Sequence, residues 1–169
     1  VHFNNKIETE TFTPKMIRHA VTSPDGKNIV FSALGHLYKK ELPNGKPQRL
    51  TNSNHFEFEP TFSPNGAEII YVTWSDTEKG GIYKVSANGG IPVKLTSKKG
   101  IYRTPSFSPD ATKIIFKKES GNTDQGFTFT KNDGIYVMNV NGSNETFVVD
   151  KGDYPMFSKN GERIFLQTG

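Results

Sequence analysis

Apolar residues along this chain fall in short runs separated by turn residues. Ile29-Val30-Phe31, Ile69-Ile70-Tyr71, Ile114-Ile115-Phe116 and Ile164-Phe165-Leu166 are each preceded by one recurring phrase. The clearest copies are Thr104-Pro105-Ser106-Phe107-Ser108-Pro109-Asp110 and Glu59-Pro60-Thr61-Phe62-Ser63-Pro64-Asn65-Gly66. Worn copies are His19-Ala20-Val21-Thr22-Ser23-Pro24-Asp25-Gly26 and Tyr154-Pro155-Met156-Phe157-Ser158-Lys159-Asn160-Gly161. The phrase serines stand at 23, 63, 108 and 158, giving steps of 40, 45 and 50 residues. Runs this short suit strands, and a period in this range marks a repeat architecture.

Two sets of turn signals alternate. Asp25-Gly26, Asn65-Gly66 and Asn160-Gly161 follow the phrase, and Asn44-Gly45, Asn88-Gly89 and Asn141-Gly142 lie further on. Asn-Gly and Asp-Gly favour tight reversals because the turn needs positive φ. Each repeat therefore predicts four antiparallel strands, A to D. Strand A ends at the Ser-Pro phrase, as in Thr104–Ser108, and strand B follows the turn, as in Lys113–Phe116. Strand C is Leu37–Glu41, Ile82–Ser86 and Ile135–Val140, and strand D is Gln48–Thr51, Val93–Thr96 and Thr146–Val149.

Repeated four-stranded units predict an all-β fold, a β-propeller of antiparallel blades. A β-sandwich is the alternative, but its strands would not recur in so fixed an order. The blades run at about 16–52, 53–97 and 98–150, with a partial one at 151–169; residues 1–15 are expected to add strands of a preceding or closing blade. About three and a half blades are thus predicted, fewer than the usual four to eight. The expectation is a piece of a longer chain, or closure by a second copy over the open blade edges. Phe62, Phe107 and Phe157 share one strand-A position and are expected to fill the space between blades, with Thr22 in their place in the first repeat. The period lengthens only between strands B and C, where the third repeat has the long loop 117–133 centred on Gly121-Asn122-Thr123-Asp124-Gln125-Gly126. Such loops often bind, and are as often tolerated insertions.

Composition narrows the chemistry. No apolar stretch approaches the ~20 residues of a membrane-spanning helix. There is no cysteine in the 169 residues, so disulfide and thiol chemistry are excluded. The net charge of +4 raises polyanion binding through Lys94, Lys98, Lys99, Lys113, Lys117 and Lys118, but no nucleic-acid motif accompanies them, and nucleic acid is not the expected partner. His2, His19, His36 and His55 form neither His-x-His nor His-Glu-x-x-His, so no metal site and no cofactor are predicted. No Gly-x-Ser-x-Gly elbow occurs, and the phrase serines read as turn residues rather than nucleophiles. Asp76 with Glu78, and Asp124 with Asn122, are the loose cation candidates and read better as solvated loop polarity.

One column varies where its neighbours repeat. The residues before the strand-A proline (Ala20 standing for it in the first repeat) are His19, Glu59, Thr104 and Tyr154, preceded by Arg18, Phe58, Arg103 and Asp153. Innermost strands enter a propeller near its central channel, so this column is the candidate channel-mouth binding surface. Exposed strand ends are the plainer reading of it.

The copies resemble the TolB-type propeller repeat, through Pro105-Ser106-Phe107-Ser108-Pro109-Asp110, Ile82-Tyr83, Gly89-Gly90, Leu50-Thr51 and Leu95-Thr96, departing from it at Ala111 and Lys159. Ala33-Leu34-Gly35-His36-Leu37-Tyr38 and Tyr71-Val72-Thr73-Trp74-Ser75-Asp76 are similar to propellers joined to bacterial amidohydrolases. The resemblance implies a parent hydrolase, periplasmic or otherwise exported; the repeat and the absence of catalytic spacing point to the propeller as a non-catalytic recognition module for a protein or small substrate. The alternative is a propeller enzyme, a hydrolase or lyase using His19, Glu59 and Arg103.

Overall fold

The computed structural model describes residues 14–122, 127–128 and 132–168. Among them every helix or strand element is a strand. The first blade is β1 (Arg18–Thr22), β2 (Asn28–Ala33), β3 (His36–Glu41) and β4 (Gln48–Arg49). The second is β5 (Phe56–Phe62), β6 (Glu68–Trp74), β7 (Gly81–Ser86) and β8 (Val93–Lys94). The third holds β9 (Ile101–Phe107), β10 (Lys113–Glu119), a small hairpin of β11 (Gly121–Asn122) and β12 (Phe127–Thr128), then β13 (Gly134–Asn139) and β14 (Thr146–Val149). β15 (Asp153–Phe157) and β16 (Ile164–Gln167) begin a fourth. Each complete blade is a four-stranded antiparallel meander in sequence order, and among the described residues the array is open at both ends. β1, β5, β9 and β15 neighbour one another in turn, which makes strand A the inner strand of every blade.

The repeated phrase builds its turn with its own side chains. The Ser23, Ser63, Ser108 and Ser158 hydroxyls accept the N–H five residues on, at 2.9, 2.9, 2.9 and 3.0 Å. The same hydroxyls donate to Asp25, Asn65, Asp110 and Asn160. This local bonding is what an ST-type turn residue offers. The turn then requires positive φ, supplied by Gly26, Gly66 and Gly161 at 71°, 72° and 76°. Ala111 holds the same place at 57° without a glycine's freedom.

The core lies between blades. Phe62 packs with Val30, Leu37 and Tyr71 between the first two, and Phe107 with Ile70, Ile114 and Phe116 between the next two. Phe157 is half-buried and Thr22 exposed. Within blades, Phe31/Tyr38, Tyr71/Tyr83 and Phe116/Tyr136 are direct cross-strand partners with stacked rings 6.1, 6.0 and 6.0 Å apart. Such pairs stabilise a ladder beyond the area they bury.

Several boundaries differ from the sequence expectation. β4 and β8 stop before Thr51 and Thr96, which are buried and turn their hydroxyls into side-chain bonds, Thr51 to Glu57 at 2.5 Å and Thr96 from the Ile82 N–H at 3.1 Å. β10 runs on to Glu119, and the long third loop carries the β11–β12 hairpin. Residues 123–126 of that loop, and the expected N-terminal strands over 1–13, lie outside the described residues.

Candidate functional site

The inner strands share one irregularity. Pairing of strand A with strand B skips register between Arg18 and Val21, Phe58 and Thr61, Arg103 and Ser106, and Asp153 and Met156. Each skip is a β-bulge over the pre-proline residue and the proline, which has no N–H to give the ladder. His19, Glu59, Thr104 and Tyr154 sit there with φ of 51°, 49°, 47° and 47°. A non-glycine residue in this left-handed region costs roughly 1–2 kcal/mol. Blade one keeps the geometry with Ala20 in place of proline, so the bulge belongs to the blade rather than to the proline alone. The four column residues thus have one backbone frame and four different side chains.

The bulge takes the Thr104 N–H out of the ladder, and Glu59 on the preceding blade accepts it at 2.5 Å. The other Glu59 oxygen accepts the Arg103 Nε and Nη2 at 2.8 and 2.6 Å. Arg103 Nη1 reaches Glu119 at 3.7 Å, Glu119 lies 3.6 Å from Lys117 Nζ, and Lys117 donates to Asp153. An alternating chain of charge therefore runs from blade two through blade three to blade four. The bond from Glu59 holds the Arg103 pKa above its ordinary value, and the bond from Asp153 does the same for Lys117.

Of the eight predicted residues, Glu59, Arg103 and Thr104 meet directly, and Asp153 joins them through Lys117 and Glu119. His19 stands edge-on to Phe58, ring centres 6.3 Å apart at 82°. Tyr154 is 61% exposed. Arg18 is exposed and turns to the Met16 sulfur at 3.7 Å. Among the described residues the Thr104 hydroxyl is buried without a hydrogen-bond partner. Lys117 and Glu119 were not among the expected residues. They lie on strand B, beyond the bulge, opposite Arg103 and Ile101, and the column pattern carries no signal for them.

A second polar cluster was also unforeseen. Glu57 is fully buried and accepts the Leu37 N–H at 2.9 Å and the Thr51 hydroxyl. His36 Nδ1 lies 3.9 Å from Glu57 and 2.9 Å from Arg49 Nη2. Burial, then the Arg49 charge, lower the His36 pKa. The Tyr71 hydroxyl is buried, and that burial together with the Glu57 charge raises its pKa. The sequence signal was an acid between two aromatics, Phe56-Glu57-Phe58, inside a strand.

Three lysines of the basic series are engaged within the chain, while Lys98, Lys99 and Lys113 are exposed. Lys118 is buried against the Tyr102 and Tyr136 rings and bonded to Glu145, Lys117 is taken by Asp153, and Lys94 lies 3.6 Å from Glu78. Glu78 also lies 3.8 Å from His55, so it is engaged with side chains of the chain itself. Among the described residues no group of three or more His, Asp or Glu gathers as a metal site.

Comparison with known proteins adds the family. The model of the TolB beta propeller domain matches residues 22–168. The Tol-Pal system protein TolB of Haemophilus ducreyi is 36% identical over 61 residues, which is 36% of this chain and 14% of that protein. A structure assigned to TolB from Agrobacterium tumefaciens superposes with a TM-score of 0.72 at 24% identity, over 91% of this chain and 54% of the other. TolB from Acinetobacter baumannii superposes at 0.66 and 20% identity, over 89% and 37%. The chain spans about half the length of these relatives or less. By its repeat, its blades and this match, the chain belongs to the TolB beta propeller domain family.

Proposed function

We propose that this chain is a non-catalytic recognition module whose inner-strand column, Arg18, His19, Phe58, Glu59, Arg103, Thr104, Asp153 and Tyr154, forms a channel-mouth surface for a protein or small substrate. One observation carries the reading: four bulges of matching φ present four different side chains. A repeat that holds its backbone fixed while varying the side chain is suited to reading an irregular partner. Glu59 and Arg103 are bonded to each other and Asp153 to Lys117, which favours recognition over proton transfer. Membership of the TolB propeller family supports protein binding, and export of a larger parent, of hydrolase type by resemblance, belongs to the same reading. Among the described residues no helix is long and apolar enough to cross a membrane.

The test is a photo-crosslinking side chain placed at Tyr154 and, as a control, at Ile91, which is 93% exposed on the outer part of blade two. In cells of the native host, discrete adducts from position 154 and none from position 91 are expected. Equal adducts from both, or none from 154, overturn the reading. Turnover by the purified chain that is lost on His19→Ala or Glu59→Gln would favour the enzyme alternative.

A further inference from the structure

The junction of the first two blades holds a histidine whose proton state is fixed by its neighbour. Arg49 Nη2 lies 2.9 Å from His36 Nδ1. A guanidinium only donates, so Nδ1 is the acceptor and the ring is neutral, with its one proton on Nε2. The same Arg49 nitrogen donates to the Ser53 carbonyl. Arg49, on β4, therefore ties the linker between the blades to the first residue of β3. The backbone is tied there as well. The Leu50 N–H donates to the Leu37 carbonyl at 2.9 Å, and the Glu57 N–H donates to the Gly35 carbonyl at 2.8 Å. Both ends of the linker thus hang on residues 35–37.

The charged groups that face His36 come from two elements. β4 presents Arg49. β5 presents Glu57, which lies 3.9 Å from Nδ1, is fully buried, and already accepts the Leu37 N–H and the Thr51 hydroxyl. Tyr71, on β6, interacts with Glu57. β2 pairs Ala33 with His36 and contains no titratable side chain. The His36 side chain is 24% exposed, so a proton reaches it from solvent. The position open to that proton is Nδ1. Its arrival removes the acceptor that Arg49 uses and sets two cations against each other, while the new N–H has Glu57 as the nearest anion.

We infer that His36 is a proton-operated latch: protonation of Nδ1 exchanges Arg49 for Glu57 and unties the linker from β3, loosening blade one against blade two. Burial, then the Arg49 charge, hold the folded-state pKa below its ordinary 6.5. A depressed value means that the latch contributes fully above 6.5 and that its contribution is lost as pH falls from there through the folded-state value. The latch lies at the blade junction and does not depend on the inner-strand column.

Hydrogen exchange at the Leu50 and Glu57 amides reads the latch, as protection relative to the intrinsic rate at each pH. Protection is expected to fall at least about threefold between about pH 7.5 and about pH 5. His36→Asn keeps an acceptor near the place of Nδ1 and gains no proton, so its protection should hold at both pH values. His55→Asn, in the same linker, should behave as the unaltered chain. Arg49→Ala should show the lowered protection already at about pH 7.5 and should move the His36 titration upward. Thermal unfolding checks that each variant keeps the fold. Imidazole nitrogen NMR of the unaltered chain needs no variant, and it should show Nδ1 without a proton at neutral pH. A proton on Nδ1 at neutral pH overturns the inference. So does equal protection of the unaltered chain at both pH values, or a loss that survives His36→Asn or vanishes in His55→Asn.

Discussion

Glu59→Gln isolates the contact that ties the second blade to the third. The Glu59 side chain is 11% exposed, and its carboxylate accepts the Thr104 N–H at 2.5 Å together with the Arg103 fork. A hydrogen bond to a charged group contributes about 1.5–3 kcal/mol, and the Thr104 amide has left its ladder, so it has no second acceptor to fall back on. Arg103 is 43% exposed, and solvent screening reduces its ion pair to about 1 kcal/mol or less. Glutamine keeps one acceptor but turns an N–H₂ toward the remaining donors. The expected loss is about 2 kcal/mol for Glu59→Gln and about 1 kcal/mol or less for Arg103→Ala. In a domain of this size that is roughly 4–8 °C in the unfolding midpoint for Glu59→Gln. Calorimetry or chemical denaturation of the two single variants and the double variant reads both terms and their coupling. A Glu59→Gln loss within about 0.5 kcal/mol of zero, or an Arg103→Ala loss as large as that of Glu59→Gln, refutes the argument that the amide bond dominates.

Other perturbations follow from the turns and the core. Ala111→Gly relieves a left-handed alanine at φ 57°. The relief of about 1–2 kcal/mol exceeds the added chain entropy of glycine, so denaturation should show a net gain of about 0.5–1 kcal/mol. The Ser108 hydroxyl, then Thr112, hold the Asp110 carboxyl down to about 2, against an ordinary 3.8. Its contribution is present above the ordinary value and is lost as pH falls through about 2, so Asp110→Asn should flatten stability against pH in that window. Phe107→Ala empties a packed inter-blade position and should cost about 3–5 kcal/mol by denaturant titration.

The blades were legible because each one repeats its own signals. The Ser-Pro phrase fixes the A–B turn through bonds within six residues, and the Asn-Gly turns and aromatic pairs are likewise local. Thr51 and Thr96 resisted reading because their bonds to Glu57 and Ile82 depend on how strands meet in space. The column from His19 to Tyr154 was visible as variation inside a regular frame. Its left-handed backbone was not, since the residues before Pro60, Pro105 and Pro155 carry no glycine to announce positive φ. Lys117 and Glu119 escaped for a related reason. Their roles arise from pairing with Arg103 and Ile101 beyond the bulge, and the sequence reads there only as the end of an apolar run and the start of a loop. The lysines of the basic series are divided in the fold, because neighbours in sequence alternate faces on β10, and Lys118 turns into the core.

The measurement closest to the central claim is the affinity of the partner captured at position 154 for the intact chain and for Tyr154→Ala. Tyr154 is 61% exposed and adds little to packing, so its removal should leave the unfolding midpoint in place. The account predicts that Tyr154→Ala weakens binding at least about tenfold while Ile91→Ala, on the outer part of blade two, does not. Binding unchanged by Tyr154→Ala, or weakened equally by Ile91→Ala, would contradict it.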